Sequence, residues 1–408
     1  MVRVIYAGAH MILDDILKLI VKQGDDIGRT VIRKKAEQMA LKPADRIKPT
    51  AERLMPETTE AYLRTRNIVP QVPFRAMQPD LRAGGSLPAR GRMGPLIEAQ
   101  ADIAKELADR IRPAVGTSDQ YFYHTGPMYE AAQNAGVPPQ EFMDKFSAYF
   151  GGTSPRTQTE PNLLNASMLQ YRDAQSLPLD RPVLGLAGPE AGNDVGYAMI
   201  TGMHPDLANR LYTDPMGNFA TNPKPSSFSL NTGGNLQGGT MDTHAIRGAL
   251  LSFDAKYPRG IPREFFKSNE AFGRYKEGGI DAVNLESDID DSLKTAALKG
   301  AKSQVEYGPM ADIYEQTAGL LDLAPAEAQA LGWFGLGEST GLRSANRSIV
   351  GLTNDRINVT AQLLGIPQDV VAKLYFQGRI PLAGAAGAGL MGYGSEAEAQ
   401  PAMRDGER

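Results

Sequence analysis

Proline spacing divides this 408-residue chain into a part that can form long helices and a part that cannot. Between residues 48 and 95 prolines recur every few positions, with glycines among them. Proline removes a backbone donor and clashes with the preceding helical turn, so no long helix can form there. We therefore expect residues 48–95 to be an extended arm that either wraps a partner or is disordered. Its charges are mostly arginines, which suit a phosphate backbone or an acidic protein groove.

The rest of the chain carries apolar residues at helical spacing. Residues 11–42 and 96–112 each place isoleucines and leucines near one face of a helix, and no stretch alternates as a strand would. These patterns predict a mainly α protein with a helical segment at 1–47 and a helical core at 96–378. Residues 379–408 are predicted to be a Gly/Ala-rich flexible tail whose apolar run is too short to span a bilayer.

Composition excludes several classes of chemistry. The chain has no cysteine, so disulfides, thiolate-bound zinc and cysteine nucleophiles are ruled out. Its four histidines share no metal-ligand spacing, so we expect no metal site and no cofactor. The net charge of −4 does not favour nucleic-acid binding by the whole surface, although a basic face could lie within it. Without a signal peptide or a membrane span, we expect a location in the cytosol or in a particle assembled there.

One glycine-rich stretch, residues 224–247, carries the main functional pattern. Lys224 and Asp242 lie eighteen residues apart, each near a predicted helix start, and the glycines between them favour a tight loop. Asp242 or Thr243 stands at the N-cap position of the second helix. Backbone amides and the helix dipole hold a carboxylate there ionised. Such a group suits a general base or an electrostatic stabiliser, but an ordinary helix cap is the commoner use.

Four segments in a fixed order extend this pattern: FSAYFGGTSPRTQTEPNLLNA (146–166), KPSSFSLNTGGN (224–235), TMDTHAIR (240–247) and PAEAQALGWF (325–334). Together they resemble a glycosylase-like domain of unknown function that is common in bacteriophage genomes. That domain is similar to the helix-hairpin-helix DNA glycosylase superfamily. The resemblance covers roughly residues 120–345. The residues that carry it are Ser154, Pro155, Arg156, Asn162, Lys224, Phe228, Asn231, Asp242, His244, Gln329 and Trp333.

The resemblance implies a mostly helical, two-lobed fold with a cleft between the lobes, acting on DNA. In the superfamily's bifunctional members a lysine attacks the sugar carbon, while an aspartate manages the proton and steadies the cationic transition state. Lys224 and Asp242 match these two positions. The target nucleotide must leave the base stack for this chemistry. The resemblance also implies residues that orient this pair or contact DNA: Arg156, Asn162, Asn231, His244 and Trp333.

The sequence departs from the superfamily just before Lys224. The Leu-Pro-Gly-x-Gly hairpin that normally precedes the lysine is replaced by Asn-Phe-Ala-Thr-Asn-Pro at 218–223, so the usual amide grip on a phosphate is missing. Pro225 still suits the first turn of a helix. Arg156 is expected to contact a phosphate or a base.

Three functions are therefore open. The first is a phage-encoded, DNA-associated protein with a glycosylase-like core, active or degenerate. The second is a non-catalytic virion or internal ejection protein in which the same core is a scaffold, and the arm and apolar tail bind other phage structural proteins or meet a membrane. The third is a soluble helical adaptor that does not contact DNA.

Overall fold

The computed structural model describes the chain at residues 92–117, 119–154, 159–177, 179, 203–213, 222–290, 296–298, 301–303, 306–336 and 348–382. Most of these residues are helical, which confirms the mainly α class predicted from apolar spacing. The predicted segment 1–47, nearly all of the arm, Arg156 and the tail beyond residue 382 lie outside the described residues.

The structure describes fourteen α-helices in these ranges. In chain order they are α1 (Gly94–Glu98), α2 (Gln100–Ile111), α3 (Gly126–Asn134), α4 (Pro139–Thr153), α5 (Thr159–Ala174), α6 (Met203–Thr213), α7 (Pro223–Thr232), α8 (Thr243–Lys256), α9 (Asn269–Gly278), α10 (Leu285–Asp288), α11 (Tyr307–Leu321), α12 (Pro325–Gly335), α13 (Ile349–Leu364) and α14 (Gln368–Phe376). Turns of 3-10 helix occur at Arg112–Ala114, Arg263–Phe265 and Ile280–Ala282.

Two short strands interrupt this helical order. The strands β1 (Ala296–Leu298) and β2 (Ala301–Ser303) pair antiparallel, with Ala297 opposite Lys302. Each has only three residues, too few to show the alternation from which a strand is predicted. The sequence therefore gave no sign of this pair.

The buried apolar side chains form two large clusters. The first draws mainly on α3, α4, α5, α13 and α14 and is rich in aromatic rings such as Phe146. The second draws mainly on α2, α8 and α11 and contains Leu250. Helix α12 contributes to both, because Trp333 packs in the first cluster and Leu331 in the second. A shift of α12 would therefore disturb both clusters at once.

Glycines at the end of α4 let two other helices approach closely. A Cβ atom on Gly152 would lie 2.6 Å from the Cα of Ala208 in α6. One on Gly151 would lie 2.8 Å from the carbonyl oxygen of Pro225 in α7. Neither distance is possible for a side chain, so only glycine allows α6 and α7 to rest on α4 in this way.

Arg92, near the end of the predicted arm, belongs to the packed core. Its guanidinium is buried and binds both carboxylate oxygens of Glu306, with Nε 2.9 Å from Oε1 and Nη2 2.7 Å from Oε2. Its Nη1 lies 3.2 Å from a carboxylate oxygen of Asp290. The guanidinium also stands 4.5 Å from the centre of the Phe265 ring, a cation–π contact. Arg92 thus contacts Glu306, which lies 214 positions further along the chain.

The first residues of the predicted tail also pack on the core. Leu382 is fully buried in the aromatic cluster. Its backbone amide donates a hydrogen bond to the Ser167 hydroxyl of α5 at 2.6 Å. The chain therefore stays attached to α5 at least as far as residue 382.

We predict that Arg92→Ala lowers the free energy of unfolding by about 3–5 kcal/mol, because it removes one partner of a buried ion pair. Urea unfolding followed by circular dichroism measures this loss. Arg112→Ala is the control, since Arg112 forms an exposed pair with Asp109 at 3.5 Å and should contribute less than about 1 kcal/mol. Equal losses in the two variants would contradict the role given to Arg92.

Candidate functional site

Lys224 and Asp242 both stand at helix starts, as the sequence predicted. Helix α7 begins at Pro223, so Lys224 is its second residue and lies between two prolines of the first turn. Its side chain is half-buried. Asp242, rather than Thr243, is the N-cap of α8. Across the described residues, the Lys224 ammonium forms no ion pair with Asp242.

Side chains from the α3 region fix the carboxyl end of α7. The Thr125 hydroxyl donates to the carbonyl oxygen of Thr232 at 2.8 Å, and the Tyr129 hydroxyl donates to that of Gly233 at 2.7 Å. These bonds satisfy carbonyls that have no partner inside the helix. The loop between α7 and α8 therefore starts from a fixed point.

The Asp242 carboxylate is held by three donors. Its Oδ1 accepts hydrogen bonds from the backbone amides of His244 at 3.0 Å and Ala245 at 3.1 Å, and from the Trp333 indole Nε1 at 2.8 Å. Hydrogen bonds to a charged acceptor are stronger than neutral ones. Within the described residues Oδ2 accepts no hydrogen bond, so Oδ1 alone fixes the orientation of the carboxylate.

Aromatic packing fixes the Trp333 ring that makes this bond. Its ring centre lies 5.8 Å from that of Phe122, 6.1 Å from Phe228 and 6.3 Å from Tyr123. Trp333 is buried, with 8% of its surface exposed. Of the two uses predicted for Trp333, orienting Asp242 is therefore the one that its position suits.

A buried polar cluster surrounds this pair. The Asn231 amide donates to the Thr240 hydroxyl at 3.0 Å, and the Tyr123 hydroxyl donates to Gln329 Oε1 at 3.1 Å. Burial raises the pKa of Tyr123 well above its ordinary value; hydrogen bonds from Thr240 and Asn231 partly oppose the rise, and the charge of Asp242 adds to it. Tyr123 is therefore a neutral hydrogen-bond donor at physiological pH.

Two tyrosines that the sequence reasoning missed hold the backbone on either side of Asp242. The Tyr307 hydroxyl lies 2.8 Å from Ser227 Oγ and accepts a hydrogen bond from the Met241 amide at 3.1 Å. The Tyr314 hydroxyl donates to the carbonyl oxygen of Ala245 at 3.2 Å. Burial raises the pKa of both, so both stay protonated. Their seven-residue separation on one helix was the signal that could have placed them on a common face.

The other predicted residues have different surroundings. His244 contacts Asp242 through its backbone amide. This contact follows from the position of His244 in the first turn of α8. Asn162 is fully buried; it accepts from the Thr153 hydroxyl at 2.6 Å and donates to the Phe150 carbonyl at 2.9 Å. These bonds tie the end of α4 to the start of α5, and none of them reaches Asp242 or Trp333. Arg156 lies outside the described residues.

A second carboxylate fixes the start of α12. Glu327 accepts from the Ala324 amide at 2.8 Å through Oε2, while its Oε1 lies 2.9 Å from His124 Nε2 and 3.3 Å from Gln120 Nε2. Burial by itself would raise the pKa of Glu327, but these hydrogen bonds and the nearby His124 hold that pKa below its ordinary value. Because Trp333 stands on the same helix, Glu327 helps to set where the indole points.

Comparison with protein-family profiles, curated proteins and solved structures finds no match for this chain. Within the described ranges, no group of three or more histidine, aspartate and glutamate side chains could hold a metal ion. No helix in that part of the chain is both long enough and apolar enough to cross a bilayer.

A double-mutant cycle measures the bond between Trp333 and Asp242. We predict a coupling of about 1.5–3 kcal/mol between Trp333→Phe and Asp242→Ala in the free energy of unfolding, because the acceptor is charged and buried. Ser268→Ala, which removes the N-cap of α9, is the matched control and should couple to Trp333→Phe by less than about 0.5 kcal/mol. Equal coupling in the two cycles would rule out a specific bond.

The lowered pKa of Glu327 predicts how stability depends on pH. The unfolded carboxyl titrates near pH ~4.3, and the folded one titrates lower, so ionised Glu327 stabilises the fold above that value. This contribution disappears as the pH falls through the folded pKa. The stability advantage of wild type over Glu327→Gln should therefore shrink between about pH 5 and about pH 3. Exposed Glu277→Gln is the control. If the stability of Glu327→Gln changed with pH in the same way as that of wild type, the assignment would be contradicted.

Proposed function

We propose that this chain is a phage-encoded, DNA-associated protein with a core like that of the helix-hairpin-helix DNA glycosylases. One observation carries the proposal: the Asp242 carboxylate is fixed through Oδ1 by two helix amides and the Trp333 indole, and its Oδ2 accepts no hydrogen bond within the described residues. A plain helix cap needs the two amide bonds but has no need of the indole. The indole bond favours a carboxylate whose orientation matters.

The order of elements around Asp242 supports the proposal. Helices α6 and α7 follow each other, both rest on α4, and Lys224 heads the second of them. In the superfamily this is the place of the hairpin and its lysine. The residues between α6 and α7, 214–221, lie outside the described chain. The two apolar clusters are proposed to be the two lobes, with α12 and its Trp333 contributing to both.

The proposed reaction uses the two residues in turn. Asp242 accepts a proton from the Lys224 ammonium, and the freed amine attacks the sugar carbon that bears the base. The bond between that carbon and the base breaks, and the base leaves with the bonding electrons and takes up the proton that Asp242 received from Lys224, which restores the carboxylate. Asp242 also stabilises the positive charge that develops on the sugar. A carboxylate held in advance by three donors needs little reorganisation for this task.

Lys224 occupies a position that suits a nucleophile. It is half-buried at a helix start, where the helix dipole disfavours an extra positive charge. Asn231 and Thr240 lie in the buried cluster beside Tyr123 and keep the loop between α7 and α8 in place. Base flipping would bring the sugar to these groups. The proposed location is the host cytoplasm or the virion, and other phage structural proteins are further proposed partners.

Base release and borohydride trapping test the proposal. Purified protein is incubated with duplex oligonucleotides that carry single damaged bases or abasic sites, and the covalent protein–DNA adduct is trapped by reduction. We predict that Lys224→Ala abolishes trapping and that Asp242→Asn lowers the rate at least about a hundredfold, as expected for loss of a general acid–base group. Exposed Lys105→Ala on α2 is the matched control and should retain full activity.

Two outcomes separate the enzyme from its rival. No base release and no trapping by the wild-type protein would end the enzymatic proposal. If the protein were then found in purified phage particles by mass spectrometry, the non-catalytic virion or ejection role would take its place. Activity that survives Lys224→Ala but not Asp242→Asn would instead indicate a glycosylase that activates water.

A further inference from the structure

Arg356 on α13 is a buried cation with few partners. Its guanidinium Nη2 lies 2.7 Å from Glu160 Oε1 on α5, and 9% of the residue surface is exposed. The Nε and Nη1 atoms are buried, and neither makes a hydrogen bond to any residue that the structure describes. A guanidinium carries five N–H donors, so this arrangement leaves most of them unused.

Such an arrangement is costly unless something completes it. A buried donor without an acceptor loses its hydration and gains nothing in return. Arg92 shows how the same chain treats a structural arginine, because its guanidinium is met by Glu306, Asp290 and the Phe265 ring. The contrast between Arg92 and Arg356 indicates that Arg356 is built to meet an anion that is not part of the fold.

The partner of Arg356 stands at a helix start. Glu160 is the second residue of α5, a helix of 16 residues, so the guanidinium lies beside the positive end of a long helix dipole. The Glu160 side chain is 44% exposed, and it can rotate into solvent without leaving a cavity in the core. Helix starts and arginine forks are both recurrent features of phosphate sites.

We propose that Arg356 and the start of α5 form a binding site for a phosphate group, and that Glu160 occupies this site in the free protein. When a phosphate arrives, Glu160 turns outward and the phosphate oxygens accept hydrogen bonds from the guanidinium. If the proposed function holds, the phosphate belongs to the DNA backbone, so the site would supply part of the grip that the missing hairpin glycines do not. The site itself uses neither Lys224 nor Asp242.

Glu160→Gln is the central test, because Glu160 is half-exposed and its loss should leave the fold intact. Binding of a fluorescent 20-nucleotide DNA duplex without lesions is measured by anisotropy, and binding of inorganic phosphate by calorimetry. Glu160→Gln should bind both about tenfold more tightly than wild type, because the competing carboxylate is gone. Glu270→Gln is the control: it removes an exposed carboxylate that pairs with Arg274, and it changes the net charge by the same amount.

Arg356→Met supplies the opposite change. Replacing a poorly paired buried cation by an apolar side chain of similar length is compatible with folding, which a thermal melt verifies. We expect this variant to bind DNA about tenfold less tightly and to lower the slope of log K against log salt by about one, the effect of one lost phosphate contact. Arg274→Met, from the exposed pair with Glu270, is the control.

The outcomes decide between the parts of the proposal. Tighter binding by Glu160→Gln than by Glu270→Gln, for DNA and phosphate alike, supports a site that holds a DNA phosphate. If only inorganic phosphate responds, the anion site stands and its link to DNA is overturned. If neither ligand distinguishes Glu160→Gln from Glu270→Gln, the whole proposal is overturned, even if Arg356→Met fails to fold. Base release by wild-type protein is scored separately, so failure of the enzymatic function remains distinguishable.

Discussion

The hydrogen bond from the Trp333 indole to Asp242 Oδ1 joins the two halves of the buried core. Trp333 packs among the aromatic rings of one cluster, while Asp242 caps a helix whose residue Ala245 belongs to the other. The bond is short, charge-assisted and shielded from water, so it is worth more than a surface contact. This bond therefore helps to fix α12 between the two clusters.

The same bond explains why so many polar side chains are buried nearby. Tyr307 and Tyr314 hold the backbone on either side of Asp242, and Glu327 holds the start of α12. A buried polar group stabilises a fold only when its partners are in place. These tyrosines and Glu327 therefore favour one arrangement of the loop between α7 and α8. A carboxylate held in this way is suited to the proposed proton transfer, because its orientation is set before a substrate arrives.

Sequence reasoning located the helices and the N-cap but missed the long-range partners. Apolar spacing over 96–112 predicted the helix that ends at Ile111, and the residue type predicted a cap at Asp242 or Thr243, because both signals are local. Proline spacing places Arg92 in an extended arm, because no residue near it in the sequence indicates the two carboxylates that it binds. The order of motifs brought Asp242 and Trp333 into one group, but their bond could be seen only in three dimensions.

By itself, the sequence determined the mainly α class, the helix starts at Lys224 and Asp242, and the absence of cysteine chemistry. These depend on backbone geometry and residue type, which act over one or two helical turns. The tertiary structure alone decided which oxygen of Asp242 is bound, that Arg92 is satisfied, and that Nε and Nη1 of Arg356 have no hydrogen-bond partner among the described residues. Those outcomes depend on the relative positions of helices that are distant in the sequence, because a change of a few tenths of an ångström between donor and acceptor can make or break a hydrogen bond.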